Sequence, residues 1–170
     1  TQDTTIYLLA TYTTKATSID TIHITSCPPS MRVFSEEGYC IDHYEWPNKK
    51  RSTPQSNVRY STADSLCRSI NKRLCSEHEW KQACTEGKKH NPYPYGKFYK
   101  NENCNTLGNR KTQNKIAASG ELEECKTISG IYDMSGNVAE WVSTSEKSRG
   151  RLYGGWWQSD QSGSECTSYQ

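Results

Sequence analysis

Apolar and polar positions alternate at the start of the chain and then change period. Thr5 to Tyr12 and Ile19 to Thr25 read as strands, and in the second Ile22 and Ile24 interleave with Thr21, His23 and Thr25. Residues 1–26 are Thr-rich and lack Gly, Pro and Cys. They predict either a hairpin packed on the domain or an arm that adds a strand to a neighbouring subunit. Cys27-Pro28-Pro29 breaks the pattern, and Gly38 to Trp46 (GYCIDHYEW) then reads as a short central strand. Beyond it the period becomes helical. Ala63, Leu66, Cys67 and Ile70 share one apolar face of a helix with Thr62 as its N-cap. Ser76 to Glu79 (SEHE) is a capping box that opens a second helix. Cys75 and Trp80 are placed to staple its entrance. Trp80, Ala83 and Cys84 form its buried face, and Gly87 is its stop. Each helix thus carries a cysteine on its inner face.

From Asn91 onward the chain is rich in turns. NPYPYG at 91–96 is a loop, and 97–129 shows no long period, which predicts irregular structure with short pieces of strand. A loop that long inside a compact domain is functional or held by something specific. Leu152 to Trp157 (LYGGWW) reads as a core strand in which Gly154 and Gly155 let another backbone approach closely.

Composition narrows the class. A length of 170 residues favours one domain. The hydrophobic fraction of 32% and mean hydropathy of −0.94 are low for a conventional core. Eleven Tyr and five Trp compensate in part, because aromatics bury a large area each. A net charge of +2 is no nucleic-acid footprint, and Lys49-Lys50-Arg51 and Lys88-Lys89-His90 read as solvated loop charge. No run is apolar enough to predict a membrane span. The first residue is Thr1, from which a processed or trimmed chain is expected, any signal peptide already removed.

The cysteines are Cys27, Cys40, Cys67, Cys75, Cys84, Cys104, Cys125 and Cys166. No pair has C-x-x-C spacing, so a zinc knuckle or thioredoxin-like site is not indicated. An even number spread over the chain predicts structural disulfides, and with them an extracellular, cell-surface or periplasmic location. Spacing alone does not assign the pairs.

Gly130 to Trp141 (GIYDMSGNVAEW) carries the most chemistry. Asp133 enters a tight turn at 135–137 and Glu140 leaves it. Carboxylates on either side of a turn collect hard oxygen ligands for Ca²⁺, which accepts backbone carbonyls as well. The competing reading is turn capping with a surface salt bridge.

Several segments in one order, GYCIDHYEWPN (38–48), NKRLCSEHEWKQAC (71–84), YPYG (93–96), CN (104–105), GIYDMSGNVAEW (130–141) and RLYGGWW (151–157), resemble the formylglycine-generating, sulfatase-modifying-factor domain family. The resemblance spans about residues 27–160, leaving 1–26 as a β-rich arm or hairpin before a domain at 27–170. It implies an α+β fold of the C-type-lectin-like kind, with two helices, a small twisted antiparallel sheet and much irregular structure. It also implies calcium ligands: the side chains of Asp133 and Glu140 with the carbonyls of Gly136 and Val138 at one site, and Asn105 with the backbone of Thr106 at another.

The catalytic pattern departs from the family. Its oxidase uses two copper-binding cysteines, five residues apart, to convert a substrate cysteine to formylglycine. Counted from Gly154-Gly155, those positions hold Ser159 and Ser164, and hydroxyls do not replace the soft thiolates that suit Cu(I). Cys166 alone is not the pair; a disulfide is its expected role, with Cys125 among the candidate partners. Iron-dependent relatives use histidine ligands, whereas His23, His43, His78 and His90 are scattered here. The family pattern usually runs on past Cys166 with another strand. A shortened active-site wall, or 1–26 supplying that strand, is expected.

These readings converge on a non-catalytic module, stabilised by calcium and disulfides, that binds a protein or glycan partner. The same general fold serves variable receptor-like proteins, whose variable residues lie around the segment matching 149–168. Arg149, Arg151, Tyr153, Trp156, Trp157, Gln158, Asp160 and Gln161 fall there, and aromatics and Arg are good interface anchors. If Trp156 and Trp157 alternate on a strand, one points inward. Two other readings stand beside this one: a structural subunit that self-assembles through the N-terminal arm, and a divergent metal-dependent oxidase.

Overall fold

The computed structural model describes residues 4–6, 8–10, 26–145 and 149–170. Seven short strands are described: β1 (Thr4–Ile6), β2 (Leu8–Ala10), β3 (Met31–Phe34), β4 (Tyr39–Asp42), β5 (Lys72–Leu74), β6 (Ala139–Ser143) and β7 (Gly150–Tyr153). Helices α1 (Tyr60–Ser69) and α2 (Glu77–Thr85) flank β5. The strands form an antiparallel four-stranded sheet in the order β3-β4-β2-β5 and a three-stranded sheet in the order β1-β6-β7. In the smaller sheet β1 runs parallel to β6 and β7 antiparallel to it. The class is α+β, as the family resemblance implies. Strands β1 and β2 are separated by one residue yet belong to different sheets of this chain. The expected strand over Ile19–Thr25, with Thr11 and Tyr12, lies outside the described residues.

The second helix forms as its sequence predicts. The Ser76 hydroxyl accepts from the Glu79 amide at 3.3 Å, and the Glu79 carboxylate accepts from the Ser76 amide at 2.8 Å. Cys75 and Trp80 are both fully buried on either side of this cap. Left-handed backbone ends the helix at Glu86 (φ +52°), one residue before Gly87. The first helix differs. Arg59, not Thr62, is its N-cap, without a side-chain cap, and Thr62 lies inside the helix. The entrance is set by a tertiary contact instead: the Trp141 indole N–H donates to the Val58 carbonyl at 2.7 Å. Ala63 and Cys67 are buried, whereas Ile70 has left the helix and is exposed.

Two strands are shorter than expected. Strand β4 ends at Asp42, because Asn48 folds back to accept from the Tyr44 amide at 3.1 Å and to donate to the Asp42 carboxylate at 2.6 Å. Strand β7 ends at Tyr153. Gly154 and Gly155 are left-handed (φ +81° and +71°), so LYGGWW turns where an alternating strand would continue. No helix or named strand lies between Thr85 and Ala139 among the described residues.

The main core gathers Tyr39, Ile41, Trp80, Ile131, Met134, Val142 and Tyr153 from both sheets, α2 and the loop before β6. Trp80 lies at its centre, its ring 5.1 Å from that of Tyr153. Trp80→Ala is expected to cost about 3–5 kcal/mol through lost burial and a cavity, and Ser76→Ala about 1 kcal/mol through the lost cap. Urea unfolding curves check both; a Trp80→Ala loss no larger than that of Ser76→Ala contradicts this picture of the core.

Burial raises the Asp42 carboxyl to about 6 from 3.8, against the opposing pull of Lys72. The folded state therefore holds a proton that the unfolded chain releases first. Stability from this group is present at low pH and declines as pH rises through this window. Asp42→Asn is expected to flatten that decline in denaturation curves measured across pH.

Candidate functional site

The 130–141 segment hangs on the turn at 135–137. Gly136 is left-handed (φ +78°), and a Cβ there would overlap the Asn105 carbonyl. Asn137, also left-handed, donates from its amide to that carbonyl at 2.8 Å. Its side chain accepts from the Asn105 side chain at 2.9 Å and the Ala117 amide at 2.8 Å, and donates to the Glu45 carboxylate. The two segments expected to hold calcium are thus brought together. The Asn105 and Thr106 oxygens are already engaged, however. Thr112 donates to the Asn105 side-chain oxygen at 2.6 Å, and the Asn109 amide donates to the Thr106 carbonyl at 3.0 Å.

Three carboxylates lie buried around this turn. Glu45 accepts from Ser119 and Asn137, and Asp133 accepts from the Gly120 amide at 2.6 Å. Glu140 is fully buried, and neither of its oxygens has a hydrogen-bond partner among the described residues. Burial raises all three pKa values. Asp133 raises Glu45 further, and both Glu45 and Asp133 raise Glu140. No ion pair among the described residues involves any of the three. A buried carboxylate with no donor needs a proton or a cation. No three His, Cys, Asp or Glu side chains cluster as a metal cage among the described residues. A hard cation would therefore draw much of its shell from main-chain carbonyls, as Ca²⁺ accepts. Glu140, unpartnered and buried, fits that chemistry.

Sequence reasoning missed Glu45, Ser119, Gly120 and Asn137. Glu45 and Asn137 lie inside the family-like segments, but nothing in their spacing marks them as a buried pair 92 positions apart.

Ser159 and Ser164 are occupied by local structure. The Ser159 hydroxyl accepts from the Trp156 amide at 2.9 Å, and the Ser164 hydroxyl donates to the Gln161 carbonyl at 3.0 Å. Cys166 is bonded to Cys84 on α2, and Cys125 pairs with Cys104. The third disulfide joins Cys27 to Cys40. Cys67 and Cys75 correct the expectation that every cysteine is crosslinked: both are free and buried. They pack as small apolar groups in the core. Burial raises both thiols, Cys67 to about 12, so neither is a ready thiolate.

Six of the eight residues named as interface anchors divide into two groups. Arg151 and Tyr153 both bind Glu77, at 3.0 and 2.6 Å, and Tyr153 is fully buried. Trp156 and Trp157 are half-buried and pack edge to face at 5.3 Å, with Gln158 and Asp160 exposed beside them. Leu107, exposed and not anticipated, joins this second group through its amide, which donates to the Ser159 carbonyl at 2.9 Å. His43 is half-buried with Nδ1 2.8 Å from the Gly130 carbonyl.

Comparison with known proteins gives three findings. Residues 11–170 match the Sulfatase-modifying factor enzyme 1-like domain. Among curated proteins, the chain is 35% identical over 88 residues to Serine/threonine-protein kinase Pkn1 of Chlamydia trachomatis serovar L2, covering 52% of this chain and 13% of that protein. It is 27% identical over 110 residues to the Inactive C-alpha-formylglycine-generating enzyme 2 of Mus musculus, covering 61% of this chain and 36% of that protein. Among solved structures, Treponema denticola variable protein 1 aligns over 84% of this chain and 56% of its own, at 16% identity and a TM-score of 0.46. The chain therefore spans well under half the length of both curated relatives.

The cysteine assignment predicts the outcome of thiol counting by intact mass. Alkylation is expected to label none in the native protein, two after denaturation without reduction, and eight after reduction. No label in the denatured, unreduced chain would mean that Cys67 and Cys75 are bonded to each other.

Proposed function

The chain belongs to the Sulfatase-modifying factor enzyme 1-like domain family, and from that premise we propose that it is a non-catalytic, calcium-stabilised module that binds a protein partner in an oxidising compartment. Ser159 and Ser164 carry the reading. They stand where the family's oxidase has its copper-binding cysteines, and their hydroxyls serve as local turn caps. The remaining thiols nearby do not substitute, because Cys84 and Cys166 are bonded and Cys67 and Cys75 are buried. The mouse relative is itself named inactive, which agrees with loss of the chemistry on a retained fold. Three disulfides support an extracellular, cell-surface or periplasmic setting.

Calcium would be held by the carboxylates of Asp133 and Glu140 with the carbonyls of Gly136 and Val138, and would offset the buried negative charge there. The partner would meet Trp156, Trp157, Gln158, Asp160 and Leu107, an aromatic group with a polar margin. The arm-exchange reading draws less support, since β1 and β2 complete this chain's own sheets.

The first test is thermal unfolding of the full chain, stripped with a chelator and then titrated with calcium. Calcium binding only the folded state raises Tm with concentration, by about 2.7 kcal/mol of stability at a hundredfold excess over Kd. Glu140→Gln is expected to abolish that increment. A Tm indifferent to millimolar calcium removes the calcium half of the reading. Conversion of a cysteine peptide to formylglycine by the copper-supplied chain removes the non-catalytic half.

A further inference from the structure

The main chain at 135–138 serves two sides of the molecule. The calcium reading assigns it the Gly136 and Val138 carbonyls, with the Glu140 carboxylate just beyond. Its other polar groups hold the segment that carries Trp156 and Trp157. The Gly136 amide donates to the Gly154 carbonyl at 2.8 Å, and the Asn137 carbonyl accepts from the Trp157 amide at 3.0 Å. These two bonds bracket Gly155 and Trp156, so the segment cannot leave the turn without breaking one of them. Leu107 is tied to the same turn by a second route. The Asn137 amide donates to the Asn105 carbonyl at 2.8 Å, and the Leu107 amide donates to the Ser159 carbonyl at 2.9 Å.

Glu140 also meets the tryptophan segment directly. It pairs with Tyr153 across β6 and β7. Gly154 packs so closely on its carboxylate that an added Cβ would stand 2.5 Å from Oε2. The turn has no more room, since a Cβ on Gly136 would overlap the Asn105 carbonyl. Contacts this tight leave little slack to absorb a displacement, so opening on one side is felt on the other. A ligand shifts such an equilibrium by its differential affinity for the two states. A cation that needs the Gly136 and Val138 carbonyls together with Glu140 binds the closed turn and not an opened one.

We propose that the 135–138 turn couples the cation site to the partner surface, so that calcium at Glu140 suppresses local opening of the Trp156–Trp157 segment and of Leu107. The inference rests on the calcium reading above; the hydrogen bonds that carry the coupling do not.

Amide hydrogen exchange of the full chain tests it, followed residue by residue by NMR after chelator treatment and again with calcium. The amides of Gly136, Trp157 and Leu107 are the reporters. The Gly38 amide, which donates to the Phe34 carbonyl at 2.9 Å in the turn between β3 and β4, is the control. Calcium is expected to slow the reporters by up to about 100-fold at a hundredfold excess over Kd and to leave Gly38 unchanged. Calorimetric titration of the same sample shows separately whether calcium binds. Calcium that binds without slowing the reporters overturns the coupling and leaves the calcium reading standing. Slowing shared equally by Gly38 is general stabilisation and also overturns the coupling. Reporter slowing that persists in folded Glu140→Gln places the cation elsewhere and overturns it as well. A chain that binds no calcium overturns both the coupling and the calcium reading.

Discussion

The Asn137 side chain is the contact on which the irregular half of the molecule depends. Residues 97–129 have no ladder or helix of their own, so their buried peptide groups must find partners elsewhere. Asn137 serves Asn105 and Ala117, accepting from both and donating back to the Ala117 carbonyl at 3.2 Å. It also holds Glu45 on the far side, while its own carbonyl accepts from the Trp157 amide at 3.0 Å. One buried residue, through its side chain and its own carbonyl, thus ties the turn after β4, the long loop, the turn before β6 and the Trp156–Trp157 segment. In a low-dielectric interior such a network is strong when complete and costly when broken. It suits a chain whose apolar content is too small to organise these loops by packing alone.

The same region concentrates negative charge in the interior of a chain with net charge +2. Hydrogen bonding satisfies two of its buried carboxylates and leaves the third bare. That inequality distinguishes Glu140 from Glu45 and Asp133. All three are desolvated, but Glu45 has hydroxyl and amide donors that compensate a buried ion, whereas neither Glu140 oxygen has a hydrogen-bond partner among the described residues.

Crosslinks do for the C-terminal segment what Asn137 does for the loop. Cys84–Cys166 closes a span of 82 residues and joins α2 to the chain just beyond Ser164. In the chain-entropy view a loop of that size stabilises the fold by about 4 kcal/mol. The segment where the family places its reactive thiols is therefore pinned to the core through a cysteine at a different position. The two remaining cysteines are spent on packing.

Local structure was legible wherever it depended on neighbours in sequence. The Ser76–Glu79 capping box, the Trp80–Ala83–Cys84 face and the irregularity of 97–129 follow from short-range hydrogen bonding, helical spacing and the lack of any period. Family membership was legible because its motifs are local and ordered. Tertiary structure decided what depended on distant partners. Trp141 and Val58 moved the start of α1, Asn48 and Asp42 ended β4 early, and Cys84 took Cys166 while Cys67 and Cys75 took none. The carboxylate network belongs to the same class, since Glu45 meets Asn137 across 92 positions and the packing leaves both Glu140 oxygens without a hydrogen-bond partner among the described residues. Spacing records which groups a segment can offer along itself. Which of them are buried, and which are left without a partner, is decided when remote segments are packed together.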